Sequence, residues 1–132
     1  PHLRGERVQD EGGAYLACYR PFHQLTYASG GHDYRGLRTA RHTYCRRHDG
    51  PWLLFDNWQD PFQLRNLVGD PAHTALVAHF DAQLQQKLDR LRDDFATGDE
   101  LAMQYGIVLN EHHDVATGRY AAARIEHAPK QA

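Results

Sequence analysis

Cysteine and serine are both scarce, with two of the first and one of the second in 132 residues. Two thiols make no disulfide framework, so the fold must rest on a hydrophobic core. A bridge between Cys18 and Cys45 stays open, because both fall in stretches with strand character. No apolar run approaches the ~20 residues that a membrane-spanning helix needs, and no secretory apolar segment opens the chain. The first residues, Pro1-His2-Leu3-Arg4-Gly5, do not read as a natural start. A missing leader is therefore uninformative, and the compartment stays open between cytoplasm and periplasm. Charge of one sign is lacking too: the net charge is −2 with His neutral. No strong field recruits nucleic acid or an anionic membrane. There is no internal repeat.

What is present suits one globular domain. The composition is 41% hydrophobic and 24% charged, which is far from disorder. A chain this long buries roughly two thirds of the surface its unfolded form exposes. Ten histidines outweigh the net charge of −2 and turn the chain positive in mild acid. They identify no site by themselves.

Residues 1–13 read as a linker. Ala14 to Phe22 has the aromatic and apolar content of a strand that stops near Pro21. Residues 23–33, with Ser29-Gly30-Gly31 among them, read as a loop. From Tyr34 to Arg47 side chains alternate on either side of Ala40-Arg41, which predicts a β-hairpin. His48-Asp49-Gly50-Pro51 is a turn by composition, and Trp52 to Asp56 is a short apolar strand. A loop over 57–70 follows, bordered by Asp60-Pro61 and Asp70-Pro71. Asp70 then reads as an N-cap and Pro71 as the first helical residue. Val77, Phe80, Leu84, Leu88, Leu91 and Phe95 recur at intervals of 3, 4, 4, 3 and 4. That spacing predicts one face of a helix of about 25 residues ending near Gly98. Asp99 is expected to cap a short helix from Glu100 to Tyr105, and Ile107 to Leu109 is a candidate strand. The expected fold class is α+β: a four-stranded antiparallel sheet on one long amphipathic helix, plus a short helix and an extended tail. One helix covers one face of such a sheet, so the second face is expected to expose an apolar patch and promote self-association.

From Tyr34 onward the chain resembles the C-terminal region of sulfatases in the alkaline phosphatase superfamily. Tyr34-Arg35-Gly36-Leu37-Arg38-Thr39-Ala40-Arg41-His42-Thr43-Tyr44 is similar to that family's "Y-R-G-V-R-T-x-R-Y-K-Y" hairpin. Gly50-Pro51-Trp52-Leu53-Leu54-Phe55-Asp56 resembles its "G-P-W-x-L-Y-D" strand, and Asp60 to Leu67 its "D-P-x-E-x-x-N-L" loop. Gly98 to Gly106 is similar to the short piece that follows the last helix, and Leu3-Arg4-Gly5 to the step closing the catalytic domain. His42 and Thr43 depart from the pattern, where the family tends to have Tyr and Lys. The resemblance implies three segments: 1–13 as a linker from a missing catalytic domain, 14–106 as the sulfatase C-terminal subdomain, and 107–132 as an extended tail. It also implies a full-length enzyme that hydrolyses sulfate esters or sulfamates on sugars, using a formylglycine and a divalent, calcium-type cation. The partners so implied are the protein's own N-terminal catalytic domain and a sulfated substrate.

That machinery is absent from these residues. Formylglycine requires Cys or Ser in C/S-x-P-x-R, whereas Cys18 precedes Tyr19-Arg20-Pro21 and Cys45 precedes Arg46-Arg47-His48. Ser29 precedes Gly30-Gly31. Asp56-Asn57 and His48-Asp49-Gly50 mimic cation ligands, yet a hard cation wants several convergent carboxylates. Both strings read better as strand-end and turn residues. The neighbours in His112-His113-Asp114 face opposite ways on an extended chain. The expected reading is a non-catalytic piece with no metal site and no catalytic residue. The loop leading into the hairpin is the place for function, since binding residues concentrate on loops held by a rigid sheet. By resemblance, His23, Gln24, His32 and Tyr34 border the substrate cleft, with Arg35 and Arg38 attracting a sugar anion. Two other readings stay open. One is the same piece of a related phosphomonoester or phosphonate hydrolase; the other is a free-standing interaction module.

Overall fold

Period-two alternation between Tyr34 and Asp56 becomes three of four strands. The computed structural model of the chain describes residues 12–21 and 26–109. Its strands are β1 (Ala14–Cys18), β2 (Tyr34–Arg38), β3 (His42–Arg47) and β4 (Gly50–Asp56). They lie in one antiparallel sheet in the order β1-β2-β3-β4. The described residues form two compact units. One draws on the stretches Pro1–Ala17 and Tyr34–Phe95, the other on Cys18–Asp33 and Ala96–Ala132.

In the first unit the hairpin register pairs Gly36 with Cys45 and Leu37 with Tyr44, and β4 sets Leu54 against Tyr44. Gly36 is required here: a Cβ would collide with the Tyr44 carbonyl and come within 2.9 Å of the Cys45 Sγ. A register shift between Cys45 and Arg46 bulges the β3–β4 pair. Strand β4 begins at Gly50, earlier than expected, and takes Pro51 with it. An edge strand tolerates a residue without an N–H.

Leu37, Tyr44 and Leu54 share one face of the sheet and pack with Val77, Phe80, Leu84 and Leu88 of the long helix. Helix α1 runs Thr74–Leu91, after a 3₁₀ turn Pro71–His73 whose Asp70 side chain accepts from the Ala72 N–H. It has 18 residues, shorter than the spacing predicts. The helix ends because Arg92 turns left-handed at φ 55° and its N–H caps the carbonyls of Leu88 and Asp89. Leu91 is consequently 51% exposed. Phe95 still reaches the core, but from a loop in which its own φ is 63°.

The second sheet face departs from expectation as well. Thr43, Cys45 and Phe55 lie on it by register, yet each is under a tenth exposed. Over Thr43 lies the loop after β4, whose Gln63 amide donates to the Thr43 hydroxyl at 3.1 Å. Three large apolar side chains of that loop, Trp58, Phe62 and Leu64, stand in water.

Strand β1 stops at Cys18 rather than reaching Phe22, and in the second unit Arg20 pairs with Asp99. A 3₁₀ turn, Tyr27–Ser29, is capped by Thr26 and closed by Gly30 at φ 90°. Helix α2 (Gly98–Gln104) starts two residues earlier than predicted, because Thr97 and Glu100 form a capping box. Asp33, 8% exposed, accepts from the Tyr27 hydroxyl and from the Gly98 N–H. The candidate strand at Ile107 reduces to an isolated bridge at Leu109. The linker through residue 11, the tail from 110 and the His112-His113-Asp114 string lie outside the described residues.

Candidate functional site

Of the six residues expected at a cleft, His23 and Gln24 fall outside the described residues. His32 belongs to the second unit and is exposed. The other three sit on β2, where parity decides their environment. Arg35 shares the face of Leu37 and is fully buried. Its Nε donates to Asp93 Oδ2 at 2.8 Å, and its guanidinium lies 4.7 Å from the centre of the Phe95 ring. Tyr15 donates to the same carboxylate at 2.6 Å and the Phe95 N–H at 2.8 Å. Burial pushes the Asp93 carboxyl up, but these donors outweigh it and hold its pKa at about 2. Arg35 thus anchors the core instead of offering its charge to a ligand.

Tyr34 and Arg38 lie on the opposite face from Arg35, at the two ends of β2. The Tyr34 ring is half-buried, 5.7 Å from that of Trp52. Arg38 is exposed and donates to the Thr43 hydroxyl at 2.9 Å. That hydroxyl is the hub of a cluster missed in the sequence. Asn57 Nδ2 reaches it at 3.1 Å, and Gln63 Nε2 bridges it and the Asn57 carbonyl oxygen at 3.1 and 2.8 Å. A guanidinium, two amides and a hydroxyl on one face can recognise a polar, anionic ligand by charge-assisted hydrogen bonds. The only sequence signal was indirect: Thr43 departs from the resembled hairpin, and Gln63 stands where the loop pattern has Glu.

The strings that mimic metal ligands have structural uses. Asp56 Oδ2 accepts two hydrogen bonds from Arg41, and its Oδ1 accepts from the N–H groups of Trp58 and Gln59. The hydrogen bond from Arg41, against some desolvation, holds its carboxyl at about 2. Asp49 pairs with Arg47 across the β3–β4 turn, and the His48 ring meets the edge of Phe95 at 4.6 Å. A depression of about 370 Å³ beside them is lined by Arg46, Arg47, His48 and Asp81. Its arginines are already neutralised by Asp81 and Asp49. Among the described residues no three His, Cys, Asp or Glu converge on a point where a metal could bind. Cys18 and Cys45 form no disulfide with each other. Burial pushes Cys45 up to about 11, which leaves it a poor nucleophile.

Comparison with known proteins agrees with this architecture. An ulvan-active sulfatase from Formosa agariphila is 39% identical over 79 residues, covering 60% of this chain and 16% of its own. Two crystal structures superpose with a TM-score of 0.57 at 25% identity, covering 72% of this chain and 20% of theirs. One is a Bacteroides thetaiotaomicron protein assigned to the sulfatases, the other a 2-O GAG sulfatase. No family profile matches the chain. The chain spans about a sixth to a fifth of the length of these relatives. In sequence and in fold the chain is similar to the C-terminal region of sulfatases.

Proposed function

We propose that this chain serves as the C-terminal, non-catalytic subdomain of a sulfatase that hydrolyses sulfate esters or sulfamates on sugars. It packs on the catalytic domain, and its exposed polar face borders the substrate cleft. The observation that carries this reading is the 39% identity with an ulvan-active sulfatase over 79 residues, joined to two sulfatase folds. The described residues do not fit a formylglycine or a divalent cation. No cysteine or serine stands in the required motif, and Asp49, Asp56 and Asp93 are paired with arginines. Nucleophile and cation therefore belong to polypeptide outside this chain. What these residues contribute is a sheet that carries Tyr34 and Arg38.

The test is the complete gene product. An upstream reading frame with C-x-P-x-R or S-x-P-x-R, and turnover of a sulfated saccharide by the product but not by this chain, is the expected result. Turnover by the isolated chain with added metal, or a product active only on phosphate esters, refutes the reading. Replacing His32 and Arg38 by Ala in the complete enzyme tests the cleft. An unchanged kcat/KM on every sulfated saccharide tried removes them from it.

A further inference from the structure

The loop over residues 57–66 holds three large apolar side chains in water: Trp58 at 70%, Phe62 at 82% and Leu64 at 85% exposure. The two aromatics alone present roughly 300 Å² of apolar surface, near the limit for an incidental patch. The loop beneath them is fixed by its polar residues. Asp56 Oδ1 accepts from Trp58 N and Gln59 N, and Asp60 Oδ2 from Arg65 N at 2.7 Å. Asn66 bridges to the edge of β4, accepting from Leu54 N at 3.0 Å and donating to the Trp52 carbonyl at 2.8 Å. Gln63 sits left-handed at φ 56° and reaches back to Thr43 and Asn57. These bonds account for Asp60, Gln63 and Asn66 of the Asp60–Leu67 motif. They leave Phe62 and Leu64 without a use among the described residues.

We infer that this loop docks the region on the remainder of the sulfatase polypeptide, with Trp58, Phe62 and Leu64 as apolar anchors; the inference rests on the function proposed above. The surface suits a protein more than a sugar, since Phe62 and Leu64 offer no hydrogen bonds. The arginines around it are paired already, Arg41 with Asp56 and Arg65 with Asp70, and Asp60 accepts from the Arg65 N–H, so covering the loop strands no lone cation. The solved sulfatases match this chain over 20% of their length. Such a polypeptide has about four fifths of its mass elsewhere, ample to cover an apolar face that needs about 800 Å² per partner. A preorganised loop also loses little conformational entropy on docking.

Hydroxyl-radical footprinting of the complete gene product is the test. Phe62 and Leu64 should be protected to within about threefold of Tyr44 and Phe80, which are buried in this chain. Labelling of Phe62 and Leu64 at ten times that level or more overturns the inference, even where the sulfatase activity stands. Protection that appears only in a dimeric fraction overturns it in favour of a second copy, and protection that needs added sulfated polysaccharide overturns it in favour of glycan binding. A product without sulfatase machinery fails the function first. The Phe62→Ser, Leu64→Ser pair in the complete protein gives a second readout. Protease should release the C-terminal region at least tenfold faster, while its own unfolding midpoint as an isolated chain stays unchanged. Equal release by variant and wild type is contrary evidence.

Discussion

Replacing Arg35 by Met puts the central ion pair of the first unit to a quantitative test. The Arg35 side chain is fully buried and that of Asp93 is one-tenth exposed. Removing the guanidinium takes the Arg35 charge away from Asp93, while Tyr15 and the Phe95 N–H still donate to it. An uncompensated buried charge costs about 3–5 kcal/mol. The Asp93 pKa gives an independent figure. It is held at about 2 against an ordinary 3.8, a difference equivalent to about 2 kcal/mol at neutral pH. The sign follows from the folded form binding its proton less readily than the unfolded one. That stability is complete above pH 3.8 and drains away as pH falls through about 2. Urea unfolding at pH 7 of wild type, Arg35→Met, Asp93→Leu and the double variant forms a cycle. Each single variant should lose several kcal/mol, and the double much less than their sum, because no lone charge remains. A loss below about 1 kcal/mol in Arg35→Met, or strict additivity, would show that the pair is not the anchor described.

Three further measurements follow from the same geometry. Leu84→Ala empties a fully buried site between sheet and helix and should cost about 2–5 kcal/mol in urea unfolding; a cost under 1 kcal/mol would contradict that packing. Thr97→Ala removes the capping box of α2 and should cost about 1 kcal/mol, with Thr97→Ser restoring most of it. His42, its ring 5.2 Å from that of Phe80, is pulled below the ordinary imidazole value by burial. The unfolded state therefore binds this proton more readily, so stability should decline as pH drops below about 6.5. His42→Gln should flatten that decline between about pH 7 and 5, and an unchanged slope would remove His42 as its source.

Much of the fold is legible in the sequence because short-range rules decide it. Period-two alternation separates β2 and β3 at the residues 39–41 break. The Asp70-Pro71 pair starts a 3₁₀ turn and then α1. The end of α1 is not legible, since Leu91 and Phe95 continue the helical spacing, and the left-handed cap falls on Arg92, where no glycine marks it. Phe95 fills a core position by a turn of the loop, which a period cannot distinguish from a helical one. At the candidate site, strand parity alone places Arg35 with Leu37 and hence inside. The Arg38, Thr43, Asn57 and Gln63 cluster joins residues up to 25 positions apart. It exists only once the hairpin and the following loop are folded.

Cys45 gives the sheet a built-in clock. Its sulfur is wedged beside Gly36 at the β2–β3 seam, 4% exposed and held in the thiol form. A soluble alkylating reagent can reach it only when those two strands part. Its modification rate in native buffer therefore reports the open fraction of the hairpin where reclosing outpaces alkylation. Half-buried Cys18, at the end of β1, provides the faster hand on the same dial.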